Sequence, residues 1–516
     1  MLASKRLEKD YTVVKGMRVA LLFVLGLVPL GLSSAPEFFA PAHRLSGIGV
    51  DRDDLSDDLL DARADLMIQS QTFAIMRDPR AVLGAKRITG DAKLQAVFRS
   101  AAERSGLPAS LLEAISYLES WGDPNAESPS GPRGIMQISL ATAREMGLRI
   151  LHTTRYKMVT EKVQVKDKRG KLVVKIIRHK VAYSVPSRDE RLIPERAIPS
   201  AANYLANLER RYGARDWAVF AYHCGEGCAA EMLDLMRRAR GIPKDRMTVA
   251  RMFFSCSPAW NRELYQAIQL QMQRDYSPTY WFRVQKAQQL LDFYRRDPNG
   301  FQALAQEYKS DFGNGVRAPH RLSVWLKRDD LLYRSCDDIK SGMGTRLVKA
   351  FERPEYFGYT LRLTPDLPEN LEYFSQASPS AVGTLTYIAY ETRRLWEEMK
   401  VNGENYKPLE VTSLVEPQDY ARTTGQNEGL SHCSGEVFDI AYGGLPPGEY
   451  ECLRFVLDDL GWEGYLGFVE EGRDSLHIGC APAVRDFFTT VFQEALGKMK
   501  PDDPKDAVAA GADGLR

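Results

Sequence analysis

From Asp91 to about Arg274, the apolar residues of this 516-residue chain recur at the spacing of helices that bury one face. One stretch breaks the pattern. Residues 151–190 contain TEKVQVKDKRGKLVVKIIRHKVAYSV, where β-branched residues flank Lys168-Arg169-Gly170-Lys171 as they would in a hairpin. Helical periodicity returns in YWFRVQKAQQLLDFYRR and weakens over about 310–370. After 371 a long helical pattern alternates with short strand-like runs, among them PLEVTSLV, EVFDIAY and SLHIG. The change of period predicts a multidomain chain: an α-helical domain with a β-hairpin insertion (89–275), a helical connector (276–370) and a smaller α+β domain (371–497). A linker with a short helix (36–88) precedes them, and a tail (498–516) rich in Pro, Asp, Ala and Gly reads as disordered. At roughly 150 residues per domain, the length alone suggests two to four domains.

The first 35 residues hold the run VALLFVLGLVPLGL, preceded by Lys15 and Arg18. Its length is that of a signal-peptide core, short of the ~20 residues that span a bilayer. Export to the periplasm or cell envelope is therefore expected. Ser33-Ser34-Ala35 offers small residues for cleavage while Pro36 opposes it, so a retained membrane anchor is the alternative. The net charge of +1 supplies no global attraction to nucleic acid, and none is expected as a partner. Seven cysteines occur at 224, 228, 256, 336, 433, 452 and 480, with no CxxC pair. In an exported chain some would pair, Cys224 or Cys228 with Cys256 being one option and buried thiols the other.

In ASLLEAISYLES (109–120), Leu111, Ala114, Ile115 and Leu118 share a helix face, and Glu119 lies at its edge. A carboxyl held partly against apolar surface resists ionisation, as a general acid near neutral pH requires. Glu113 falls on the polar side. Glu119-Ser120 is followed by Ala126, Ser128, Gly131, Gly134, Met136 and Gln137 and later by Ala221, Tyr222 and Gly225. These three ordered motifs, covering roughly 90–275, resemble the lytic transglycosylase family with the goose-lysozyme-like fold. The resemblance implies that Glu119 protonates the glycosidic oxygen between N-acetylmuramic acid and N-acetylglucosamine. It then accepts the proton of the muramyl 6-hydroxyl, leaving a 1,6-anhydro end without any cofactor. Ser128, Gln137, Tyr222 and His223 become substrate-binding candidates, with Gly131 and Gly134 allowing the chain to pass close to a sugar. Two positions depart from the family pattern: His223 stands for an Asn and Leu140 for a Pro. Asp123 is a second carboxylate nearby. The 151–190 region carries eleven Lys or Arg against four acids; it reads as a solvated surface or as a basic flap drawn to the carboxylates of peptide stems.

The C-terminal segment contains SHCSGEVFDI (431–440) and DSLHIG (474–479). Two imidazoles, His432 and His477, with the Asp439 carboxylate form a tetrahedral zinc set with one position open, and Asp474 is a candidate base. The pattern resembles the zinc D-alanyl-D-alanine peptidase and hedgehog-like superfamily. It implies bound zinc and action on peptide stems. Glu416 stands about where that superfamily places a substrate-binding arginine, with Arg422 further on as a substitute. Cys433 and Cys480 flank the proposed ligands, as a disulfide or as thiolate ligands. Together the resemblances imply a two-headed enzyme whose partners are peptidoglycan glycan strands and peptide stems. A degenerate binding module at the C-terminus, or a non-enzymatic envelope scaffold, are the alternatives.

Overall fold

The computed structural model describes residues 38–42, 56–166, 172–309, 331–363, 371–399, 405–423, 431–471 and 474–499. The N-terminal apolar run, the hairpin tip and most of the expected tail lie outside them. Among the described residues no helix is long and apolar enough to cross a membrane.

The acidic stretch after residue 50 ends in a long helix, Asp57–Met76, capped by the Ser56 hydroxyl, which accepts from the Leu59 N–H. The next helices, Ala81–Gly90, Ala92–Ser105 and Ala109–Ser120, are short and stack through Ala85, Ile88, Phe98, Leu112 and Ile115, all fully buried. Burying each large aliphatic here contributes about 1.5–3 kcal/mol. Glu113, expected on the polar side, is buried as well. Helix Tyr280–Arg296 packs over that side and brings Arg295 to its carboxylate, while Gln95 Nε2 donates to it at 2.8 Å. Thus residues 280–296, expected to begin a connector, complete the helical layer around Ala109–Ser120.

The interruption is a two-stranded antiparallel ribbon, Ile150–Lys166 with Leu172–Asp189. At its base Arg191 is buried, forks onto Asp189 and donates to the Ile138 carbonyl at 3.1 Å. This fastens the 126–138 loop to the ribbon.

The C-terminal part holds a five-stranded sheet in the order Tyr359–Leu361, Leu409–Ser413, Val437–Ala441, Ser475–Cys480, Leu466–Glu471, antiparallel except for the first pair. Helix Pro379–Met399 lies on it, against helices Pro447–Trp462 and Arg485–Lys498. Gly383 permits the closest approach, since a Cβ there would fall 1.8 Å from the Phe488 carbonyl oxygen. The expected helical and α+β parts share one hydrophobic cluster, and residues 38–516 form one compact unit. Phe253 meets Trp462 edge-on at 4.6 Å, and buried Arg63 reaches Asp459 at 2.6 Å and Glu463 at 3.2 Å.

Candidate active site

Helix Ala109–Ser120 stops because Trp121 turns into the left-handed region at φ 54°, followed by Gly122 at φ 69°. A tryptophan in that conformation is strained, and it is held by edge-on packing on Tyr117 at 4.8 Å. The stop leaves Glu119 in the last turn, 14% exposed, at the wall of a cleft of about 460 Å³. Leu118, Trp121, His223, Asp275, Tyr280 and Arg283 line it, together with Ala74, Ile75 and the turn 77–80.

Two groups fix the Glu119 carboxyl, both at Oε1. The Tyr280 hydroxyl donates at 2.6 Å and His223 Nδ1 lies at 3.3 Å. The rings of His223 and Tyr280 are stacked 4.0 Å apart and nearly parallel, at 7°. His223 Nε2 is 3.1 Å from the Asp275 carbonyl oxygen, which only accepts, so Nε2 carries a hydrogen. Neutral His223 therefore has a bare Nδ1, and its contact with Glu119 requires one further proton held by the pair. Either Glu119 is the acid and donates to Nδ1, or His223 is an imidazolium and donates to Glu119. Burial works to lower the His223 pKa, but the hydrogen bond and charge of Glu119, with Asp275, outweigh it and hold it above the ordinary histidine value. Burial and the Glu119 charge raise the pKa of Tyr280, which stays a donor.

The other residues expected to touch substrate are placed differently. Tyr222 is close enough for the Glu119 charge to raise its pKa, after burial, yet its hydroxyl donates to the Met136 carbonyl at 2.8 Å. It thereby pins the motif loop beside the acid. Gln137, at φ 45°, donates Nε2 to the carbonyls of Gly134 and Ala126 at 2.9 and 3.2 Å. Ser128 is half-buried, with its hydroxyl 2.8 Å from that of Ser130. Gly134, at φ 79°, is required by the chain itself, since a Cβ would fall 1.9 Å from the Arg191 carbonyl oxygen. Asp123 binds the Asn125 N–H at 2.9 Å and is not part of the cleft lining. Two other carboxylates are: Asp275, which accepts from the Ser277 N–H at 3.0 Å, and Asp78, paired with Arg80 at 2.7 Å. Cys224, Cys228 and Cys256 are free thiols, so the disulfide option falls away.

Sequence reading missed Tyr280, Asp275, Arg77 and Arg283. Tyr280 sits at the start of a segment whose periodicity announces only a helix, and tertiary packing alone brings it to Glu119.

In the sheet, Asp439 and His477 face each other across paired strands, and His432 arrives on the short turn His432–Ser434. The three converge. His477 Nδ1 is 2.6 Å from Asp439 Oδ1, His432 Nε2 is 3.2 Å from the same oxygen, and the two nitrogens are 3.1 Å apart. The remaining ring nitrogens are also engaged: His432 Nδ1 lies 2.7 Å from the Leu414 carbonyl, and His477 Nε2 lies 3.2 Å from the Ser431 hydroxyl. Such outer contacts orient imidazoles as metal ligands. The donor set fits a divalent cation that takes nitrogen and oxygen, zinc among them. Glu416 is buried beside the set, linked through Ser413, and its Oε2 has no hydrogen-bond partner. Asp474 is not part of the cluster. It lies just before strand Ser475–Cys480, three residues ahead of His477, is exposed and packs against Gly443. Arg422 belongs to helix Gln418–Thr423, but its side chain lies outside the described residues. Cys480 is a free thiol, so no bridge to Cys433 forms.

The chain is 32% identical over 132 residues to the peptidoglycan transglycosylase gp16 of Escherichia phage T7, covering 25% of this chain and 8% of that protein. It is 41% identical over 70 residues to the membrane-bound lytic murein transglycosylase F of Saccharophagus degradans, covering 13% of this chain and 14% of that protein. The chain thus spans only a small part of the length of these relatives. A solved lytic transglycosylase Slt from Pseudomonas aeruginosa aligns with 49% of this chain and 32% of its own at 18% identity, with a TM-score of 0.25 that carries no argument. Residues 96–161 and 168–240 match the family described as the transglycosylase SLT domain, so the helical region that holds Glu119 carries an SLT domain.

Proposed function

We propose that the Glu119 cleft cleaves the glycan strands of peptidoglycan, with Glu119 as general acid and then base, releasing 1,6-anhydromuramyl ends in the cell envelope. The observation that carries this is the single recessed carboxyl on an SLT domain, engaged at Oε1 only by Tyr280 and His223. The other two carboxylates of the cleft have their own partners, Ser277 and Arg80. In this reading one group, Glu119, serves both proton transfers, as a lyase requires and a two-carboxylate hydrolase does not. Tyr280 steadies the carboxylate once the proton has left, and His223 shares that proton. The supporting relatives are a peptidoglycan transglycosylase and a lytic murein transglycosylase by name. Purified peptidoglycan treated with wild type and with Glu119→Gln, followed by mass spectrometry, tests the reading. Anhydromuropeptides from wild type alone support it. Reducing ends would make the enzyme a muramidase and sink the lyase claim.

A second activity is favoured by the convergence of His432, Asp439 and His477. These residues would hold a zinc ion, which when bound acidifies water and polarises a peptide carbonyl. Asp474 is the base that the sequence motif offers, and Glu416 is a second carboxylate, buried and linked through Ser413 to His432. Metal analysis after dialysis tests the site: wild type should retain about one equivalent and His477→Ala none, and equal contents would dismiss it.

A further inference from the structure

One wall of the Glu119 cleft is built from residues outside the matched SLT segments, and it is cationic. Arg77 ends helix Asp57–Met76, and Arg283 lies in the first turn of helix Tyr280–Arg296. Both line the cleft with Glu119. Arg283 is half-buried and held in place: its Nε donates to Gln71 Oε1 at 3.0 Å, and its guanidinium lies over the Tyr276 ring at 4.6 Å. Tyr276 adopts φ 59°, the left-handed region a tyrosine rarely takes, to put its ring there. The four Nη hydrogens are the part of the fork left over.

Among the described residues no carboxylate neutralises this group, and neither Arg283 nor Arg77 is paired with one. Of the cleft's acids, Asp78 is spent on Arg80 at 2.7 Å, Asp275 on the Ser277 N–H at 3.0 Å, and Glu119 on Tyr280 and His223. Arg283 also sits at the positive end of its own helix, where a cation is disfavoured and an anion welcome. Burial, together with the nearby charge of Arg77, draws its pKa down to about 10, although Tyr276 works the other way. It stays charged at neutral pH. A fixed, unpaired guanidinium facing a cleft, in a place where a positive charge is costly, is preorganised for an anion.

We propose that Arg283, with Arg77, forms a carboxylate-binding subsite that takes an anionic group carried by the glycan next to the bond to be cut. This rests on the reading of the cleft as a glycan site. The chemistry narrows the ligand: N-acetylglucosamine is neutral, whereas the muramyl sugar carries a lactyl carboxyl. When a peptide is attached, that carboxyl becomes an amide and the anions are those of the stem. The subsite thus distinguishes muramyl glycans from neutral chitin-type chains and fixes which sugar lies beside Glu119.

Binding by the Glu119→Gln protein, which holds the ligand uncut, tests the idea by calorimetry with three defined tetrasaccharides: neutral N-acetylglucosamine oligomer, peptide-free muramyl glycan and peptide-bearing muramyl glycan. The parent should bind at least one anionic ligand about tenfold or more tighter than the neutral one. Adding Arg283→Gln should remove that preference by weakening anionic binding far more than neutral binding, Arg283→Lys should restore part of it, and Arg77→Gln should lower it less. Loss with the peptide-free glycan identifies the lactyl carboxylate, and loss only with the peptide-bearing one identifies the stem. A preference that survives both arginine substitutions overturns the subsite while sparing the glycan reading. Failure of the folded parent, checked by circular dichroism, to bind any of the three overturns the glycan reading itself.

Discussion

The Glu119 cleft and the His432–Asp439–His477 cluster are built on opposite plans. The cleft is open, and segments from Gln71 to Arg283 contribute to it. Each of its acids has a partner, and among the described residues two of its cations, Arg77 and Arg283, meet no carboxylate. The cluster is closed and compact, with donors set by the register of two adjacent strands and one turn. There the surplus is negative. Burial alone would neutralise His432, but the Asp439 charge and hydrogen bond, with Glu416, push its pKa up to about 9. An open site with spare cations suits an anionic polymer, whereas a closed site with spare negative charge suits a cation.

The difference predicts that the two sites separate by mutation, and this is the largest effect expected. Glu119→Gln should lower glycan cleavage by about 10²–10⁴-fold, the range for loss of general acid–base catalysis, without changing metal content. His477→Ala should abolish metal retention and leave glycan cleavage within a factor of about two, as distant sites behave independently. Turbidity loss of a peptidoglycan suspension and metal analysis of the same samples give both readouts. Joint loss of both would show that the shared core couples the sites and would break the contrast.

The same contrast governs what the sequence could show. The cluster's residues were legible because strand pairing keeps motif residues close, so His432, Asp439 and His477 lie together. Asp474, in the turn just before the strand that carries His477, is exposed and stands outside the three converging residues. Glu119 was legible from its motif, but its partners were not. Tyr280 and Arg283 lie about 160 residues downstream, in a segment whose pattern announces only an amphipathic helix. Arg77 and Asp78 belong to a turn that was read as a linker. The structure adds roles that the motif did not announce: Gly134 makes room for the Arg191 carbonyl, and Gln137 and Tyr222 bind backbone carbonyls. A motif marks residues that must stay, whether they touch substrate or hold up the loop that does.

Gly134→Ala is the next largest effect, and it strikes the open site through its support. A Cβ at φ 79° would fall 1.9 Å from a backbone oxygen that cannot swing aside. The cost is about 2–4 kcal/mol, combining the left-handed penalty with overpacking. A lowered denaturant midpoint with glycan cleavage lost before metal binding is the outcome expected; unchanged stability would mean the loop has room to move. Tyr280→Phe should act more locally. It removes a hydrogen bond to a charged group, which contributes about 1.5–3 kcal/mol, so kcat should fall roughly tenfold or more with little change in KM.

The smallest effect tests how the open site holds its proton. His223 faces Glu119, Asp275 and Tyr280, and its charge is felt at Cys228. Its pKa in the folded protein is raised above the unfolded value near 6.5. The charged form therefore stabilises the fold fully below about pH 6.5, and this contribution is lost as pH rises through the raised pKa. His223→Asn keeps a hydrogen-bond donor but cannot take the charge. Wild type should exceed the variant in stability below about pH 6.5, with the gap closing as the pH rises above that value in denaturant titrations. A gap that does not change with pH would place the shared proton on Glu119 and leave His223 neutral. In that case Glu119 is already the acid the first step needs, and His223 acts only as its acceptor.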